Sequence, residues 1–196
     1  LTAGVTLIML GAFGLIARQV GDIALAFTCL VIAASVAGFF VVNWPQGKIF
    51  LGDGGAYFLG FALAWIAVLL PERNASVSPW SSLLICIYPI AEVVMSFVRK
   101  SLRPGSHPSQ PDAVHLHMLA HRRWAKKLWP NASLTTQNGL TASLLWLYTL
   151  LPCSAAVFFY TSFLATLGAL VVSFVFYLLM YHKLAFFRWL PRGKQD

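Results

Sequence analysis

The chain has 196 residues, of which 59% are hydrophobic and 10% charged, with a net charge of +8 and a mean hydropathy of +0.74. A soluble domain of this length carries about a quarter charged residues, so the composition excludes an ordinary water-soluble globule and points to a polytopic membrane protein. Cys29, Cys86 and Cys153 each fall inside an apolar run, which excludes a zinc spacing or a disulfide framework and leaves them as small hydrophobes.

The first residue is Leu1, and no basic leader precedes an apolar segment, so no cleavable signal peptide is expected. The missing Met suggests a fragment. Apolar segments then follow at roughly 2–17, 23–42, 54–70, 80–98, 139–159 and 161–181. They are rich in Leu, Ala, Phe and Val without polar alternation, which favours spanning helices over a barrel. The expected fold is an all-α polytopic helical bundle of about six spans, a single integral membrane domain over 1–196 with one long loop at 99–138. Tyr160 alone separates the last two segments, so one of those boundaries must move. Trp80, Trp146, Trp189 and Tyr181 are expected near span ends, where amphipathic rings favour the interface.

Alternating the spans puts Lys48, Arg99, Lys100, Arg103, Arg122, Arg123, Lys126, Lys127, Lys183, Arg188, Arg192 and Lys194 on one side. Only Arg18 and Arg73 fall on the other. The positive-inside rule assigns the basic side to the cytoplasm. These cations also anchor helices and meet anionic lipid, so membrane lipid is an expected partner. Nucleic acid is not, because no basic stripe lies outside the membrane flanks. A homodimer is compatible with the chain, but no GxxxG pair of clear placement specifies one.

Asp53 stands between the second and third segments, in Lys48-Ile-Phe-Leu-Gly52-Asp53-Gly54-Gly55. A carboxylate at the mouth of a membrane helix is costly to desolvate and commonly binds an ion, a proton or a charged substrate. The glycines let backbone approach a phosphate, and the N–H groups of the following helix favour anions. An acid in this position can hold Mg²⁺ together with phosphate oxygens and water. The competing reading is a capping aspartate in a helix-opening turn.

Glu92 lies in the fourth segment, about two turns before Arg99 and Lys100. An acid there faces a partner or a cavity. Pairing with a lysine or arginine and a direct catalytic role are both open, and Pro89 is expected to loosen the helix one turn before it. In the long loop, Pro104, Pro108 and Pro111 favour an extended course. Asp112 is then placed to cap a short helix carrying His117 and His121 on one face, with His115 just ahead of it. Three histidines with Arg122 and Arg123 make a donor-rich patch suited to phosphate, sugar hydroxyls or a leaving diphosphate. A zinc site lacks a fourth ligand, and a solvated basic loop is the plain alternative. His107, flanked by prolines, is assigned no role, and His182 beside Lys183 is expected at the interface.

These residues together resemble the polyprenyl-phosphate N-acetylhexosamine-1-phosphate transferases, glycosyl transferase family 4. That family includes the bacterial undecaprenyl-phosphate GlcNAc-1-phosphate transferases and phospho-N-acetylmuramoyl-pentapeptide transferase. Phe50-Leu-Gly52-Asp53-Gly54-Gly55 resembles its Phe-x-Gly-Asp-x-Gly signature, with Asn43 ten residues earlier. Pro89-Ile-Ala-Glu92, Arg99-Lys100, Pro111-Asp112 and His115-x-His117 follow in the family's order. The resemblance covers residues 1 to about 130 and reaches the last two spans by hydropathy alone.

The resemblance implies transfer of a sugar 1-phosphate from a UDP-sugar to a membrane polyprenyl phosphate, with release of UMP. This would be the first lipid-linked step of envelope glycan synthesis, on the cytoplasmic face of the bacterial inner membrane. It implies that Asp53 holds Mg²⁺, for which Mn²⁺ can substitute, and that His115 and His117 are catalytic. Asn43, Lys48, Gly52, Gly54, Gly55, Asp112, His121, Arg122 and Arg123 are then expected to bind substrate. Two positions depart from the pattern: Met118 stands where the family has a third histidine, and Ala56 where many members have Ser. The family's paired aspartates and its earlier Asn/Asp motif have no counterpart here, although Leu1-Thr-Ala-Gly4 resembles the end of the latter. The chain is therefore expected to be the C-terminal half of a longer enzyme and inactive alone. A transporter component using Asp53 and Glu92, or a non-enzymatic assembly subunit, remains the alternative. The sugar and the glycan pathway stay open among GlcNAc, GalNAc, dideoxy-amino sugars and MurNAc-pentapeptide.

Overall fold

The structure is a computed structural model and describes residues 1–101 and 114–186. The described residues form helices and connecting turns without a strand: α1 (Thr2–Gln19), α2 (Ile23–Asn43), α3 (Gly52–Arg73), α4 (Pro79–Ile85), α5 (Ile87–Ser101), α6 (Leu116–Ala120), a π-helical turn (His121–Ala125), α7 (Lys126–Leu128), α8 (Leu134–Phe159) and α9 (Phe163–Phe186). The chain is thus an all-α polytopic bundle. Helices α1, α2, α3, α8 and α9 are each long and apolar enough to cross a membrane, and α4 with α5 makes a sixth span if the pair is taken together.

Helix α1 is the centre of the bundle and packs on α2, α3, α4 and α8. Its buried face carries Met9, Leu10, Phe13 and Ile16 at helical spacing, each no more than 1% exposed. Helices α2, α3 and α9 instead turn Phe27, Leu30, Phe61, Val68, Leu164 and Val172 outward. An apolar outer surface of this kind is what a bilayer solvates.

Two ends are defined by contacts between loops. At one end Asp22 caps α2 through the Leu25 amide at 3.1 Å and pairs with Arg73 at 2.9 Å. At the same end the Ser78 amide donates to the Tyr160 carbonyl at 2.7 Å. The 20–22, 74–78 and 160–162 turns therefore lie together. At the other end Trp44 and Phe40 pack against Trp146, whose indole N–H donates to the Leu1 carbonyl at 3.0 Å. Trp146 thus belongs to an internal aromatic cluster, twelve residues into α8, rather than to an interfacial belt. Trp189 lies outside the described residues.

Three boundaries differ from the expectation. The fourth span is not continuous over 80–98: α4 and α5 meet at Cys86 with a bend of 73°. Pro89 falls in the first turn of α5, where its missing N–H needs no partner, and its ring disfavours the carbonyl four residues back, so the break precedes it by one turn. Helix α8 begins five residues before Gly139, because Ser133 accepts from the Thr136 amide at 3.2 Å and caps an earlier start. The last connection is resolved by starting α9 at Phe163, with Ser162 accepting from the Ala165 amide at 3.3 Å. The 99–138 loop accordingly contains the end of α5, the 116–128 helical segment and the start of α8.

Candidate functional site

Residues 44–51 leave α2 and enter α3 at the end of the bundle marked by Trp44 and Trp146. The Asn43 carboxamide closes this loop by donating to the Ile49 carbonyl. Gly47 and Gly52 take φ of +66° and +68°, a conformation that favours glycine. Asp53 follows in the first turn of α3, exposed, with no capping hydrogen bond. Among the described residues it makes no hydrogen bond or ion pair. The capping reading therefore lacks its bond, while the helix terminus still favours a negative charge there. A Cβ at Gly54 would meet nothing within 4 Å, so that side of the turn is open to a ligand. Gly55 differs: a Cβ there would fall 2.8 Å from the Leu51 side chain, so its lack of a side chain serves local packing. Lys48 is exposed in the same loop.

The histidine segment is built on α6 and the π-helical turn, which pack on α8, with α6 also against α9. Leu116, Leu119 and Ala120 are buried and hold the segment down. This leaves His117 and His121 on the side facing a cavity of about 480 Å³, lined also by Leu1, Met118, Arg122, Asn138, Thr141 and Ala142. Two of the expected binding residues, His121 and Arg122, therefore share a cavity with the expected catalytic His117. Arg123 is exposed and outside that lining. His121 Nδ1 is buried and has no hydrogen-bond partner among the described residues. Burial, then the neighbouring His115, push the His117 pKa down to about 4, so His117 is neutral at pH 7. The rings of His115 and His117 stack at 5.7 Å with an interplanar angle of 10°.

His115 does not line the cavity. Its Nδ1 lies 3.0 Å from Glu92 Oε2, and Glu92 Oε1 accepts from the Leu116 amide at 3.1 Å. Among the described residues Glu92 pairs with a histidine rather than with the lysine or arginine weighed from sequence, and it accepts from the first amide of α6. The Asp112 cap weighed from sequence lies outside the described residues. No sequence signal short of the fold relates positions 92 and 115. Tyr181 joins the same region: its hydroxyl donates to the Val114 carbonyl at 3.1 Å, and the Arg99 guanidinium packs on its ring at 5.6 Å.

The structure thus brings His115, His117, His121 and Arg122 into one segment. Asn43, Lys48 and Asp53 form a second group at the same end of the bundle. No hydrogen bond or ion pair joins Asp53 to the histidines among the described residues. No group of three or more His, Cys, Asp or Glu residues suited to a metal occurs among the described residues.

Residues 1–71 match the family described as Glycosyl transferase family 4. Similar curated proteins include the undecaprenyl-phosphate alpha-N-acetylglucosaminyl 1-phosphate transferase of Yersinia pestis, 30% identical over 127 residues that cover 62% of this chain and 34% of the relative. The protein of the same name from Salmonella typhi has the same identity and coverage. That from Haemophilus influenzae is 24% identical over 203 aligned positions, covering 98% of this chain and 54% of the relative. The chain spans between about a third and about half of the length of these relatives. No solved structure matches it. The family match takes in the stretch carrying Asn43, Lys48 and Asp53.

Proposed function

We propose that this chain carries the reacting face of a membrane enzyme that moves a sugar 1-phosphate from a UDP-sugar to a polyprenyl phosphate, undecaprenyl phosphate in bacteria. An oxygen of the lipid phosphate bonds to the sugar-bearing phosphorus, the bridge to the uridylyl phosphate breaks, and UMP leaves. The observation that carries the reading is Asp53, an exposed carboxylate without an ion-pair partner among the described residues, set in the family-matched stretch. The basic loops gather at its end of the bundle, so the reaction faces the cytoplasm at the inner membrane. The lipid phosphate and the water-soluble nucleotide can meet at that boundary.

The residues fit Mg²⁺ as the cofactor. Mg²⁺ takes one or two carboxylates and completes its shell with phosphate oxygens and water, and Asp53 offers an unengaged anionic oxygen beside an open glycine turn. When bound, the ion supplies positive charge to the diphosphate. The rest falls to the protein, which mainly positions groups in phosphoryl transfer. Lys48 and the α3 amides attract the anionic substrates, and Asn43 shapes the loop that receives the nucleotide. Arg122 and His121 donate to phosphate or sugar oxygens from the cavity side, with Arg123 next to them in the π-helical turn. His117, neutral at pH 7, is able to accept or donate a proton there, with His115 beside it.

UDP-GlcNAc is the donor to try first, since the relatives' names specify N-acetylglucosamine. Membranes containing the full-length protein are given labelled UDP-GlcNAc and undecaprenyl phosphate, and UMP and lipid-linked sugar are measured. Asp53→Asn abolishes both products at unchanged protein level, and EDTA does the same until Mg²⁺ or Mn²⁺ is restored. Wild-type turnover by Asp53→Asn would overturn the reading.

A further inference from the structure

Glu92 sits on α5 with its side chain 13% exposed, within reach of a segment that begins more than twenty residues later. Both of its oxygens are engaged, with Oε2 also lying 3.4 Å from the Leu116 amide. Oε2 meets His115 Nδ1 at 3.0 Å, and Oε1 accepts from the Leu116 amide at 3.1 Å. An ionised carboxylate only accepts hydrogen bonds, so His115 Nδ1 must carry the proton that joins them. In a neutral imidazole this fixes the other nitrogen, Nε2, as the acceptor. The Leu116 amide is the first of α6 and has no partner within that helix, so Glu92 also completes the helix's first turn. His117, one residue further on, enters the cavity from that turn, its ring parallel to His115.

We propose that Glu92 is a positioning residue, which holds His115 in the Nδ1–H tautomer and anchors the turn that delivers His117 to the cavity. The proposal rests on the reading that these two histidines meet substrate. Glu92 itself touches neither substrate nor metal. A carboxylate supporting a histidine in this way narrows both the ring's orientation and its protonation pattern, and loss of such a partner behind a metal-binding histidine costs roughly 10–100-fold in metal affinity or activity.

The test is nitrogen-15 NMR of the full-length protein labelled at histidine, with the His115 signals assigned by their loss in His115→Gln. In the wild type, His115 shows a protonated Nδ1 and a bare Nε2. Glu92→Ala abolishes that preference. Glu92→Gln keeps one acceptor and retains it; where Glu92→Ala does not fold, the wild-type tautomer decides, a proton on Nε2 overturning the proposal. In the UMP-release assay Glu92→Ala lowers kcat roughly 10–100-fold with little change in KM. The double variant Glu92→Ala/His115→Ala is no slower than His115→Ala. A wild-type His115 protonated at Nε2, a tautomer unmoved by Glu92→Ala, or additive losses in the double variant would each overturn the proposal. The NMR signature needs no turnover. If the full-length protein releases no UMP, the transferase reading fails while the tautomer still decides the role of Glu92. If UMP is released and the tautomer ignores Glu92, this inference alone fails.

Discussion

Replacing Gly4 by Ala should lower the melting temperature sharply, because the α1–α8 contact has no room for a methyl group. A Cβ at Gly4 would overlap Cε2 and Nε1 of Trp146 and lie 2.7 Å from its Cζ2. The indole cannot simply swing aside. Its N–H is bonded to the Leu1 carbonyl at 3.0 Å, and its ring lies 5.4 Å from Phe40 and 5.6 Å from Trp44. Overpacking of a filled core costs about 1–3 kcal/mol. For a chain of this size that is roughly 2–12 °C in Tm. Gly11→Ala is the internal control: it lies on the same helix, its Cβ would meet nothing within 4 Å, and better helix propensity should hold or raise Tm. Melting of purified protein in detergent, followed by fluorescence-detected size exclusion, compares the two. Trp146→Ala removes the whole indole, so Gly4→Ala should cost less in that background. Gly4→Ala melting at or above the wild type, or costing as much with Ala at 146, would refute the packing argument.

Asp22→Ala should destabilise by about 1–2 kcal/mol, the loss of an α2 cap plus a pair to a half-exposed Arg73, seen as a lower Tm that Asp22→Asn partly restores. His117 gives a pH signature of defined sign. Its folded pKa of about 4 lies below the ordinary histidine value of 6.5, so the unfolded chain binds the proton first and stability falls as pH drops from about 6.5 to about 4. His117→Gln should flatten the Tm–pH curve across that window, and an unchanged slope counts against the burial of His117. Gly52→Ala should cost about 1–2 kcal/mol, because Gly52 holds φ at +68°, and should reduce UMP release with it by displacing Asp53. Full activity and an unaltered Tm for that variant would remove the turn from the site.

The membrane architecture was legible because its signals are local. Apolar runs fixed the spans, and the unequal distribution of Lys and Arg sorted the loops into two sets that the Asp22–Arg73 pair and the Trp44–Trp146 contact place at opposite ends. The break at Cys86 was half legible. Pro89 announced a disturbance, but its position in the first turn of α5 moves the bend upstream of the proline. The start of α8 was written in Ser133-Leu-Thr-Thr136, which polar composition disguised as loop. Glu92 with His115 was not legible, because residues 23 apart in sequence meet only once α5 and α6 are placed. Asp53 was recognisable by type and setting, whereas its lack of partners among the described residues is a property of the folded chain alone.

The 73° bend also changes how deep the bundle is. Twenty-three straight helical residues would measure ~34 Å, but seven and fifteen residues meeting at that angle reach end to end only ~27 Å. A hydrocarbon layer is about 30 Å thick, so a single span made of α4 and α5 falls short of it, and local thinning or snorkelling of Arg99 and Lys100 at the basic end of α5 meets the difference. Under the proposed function, headgroups drawn inward there would shorten the journey that a phosphate on a long isoprenoid tail makes to reach water.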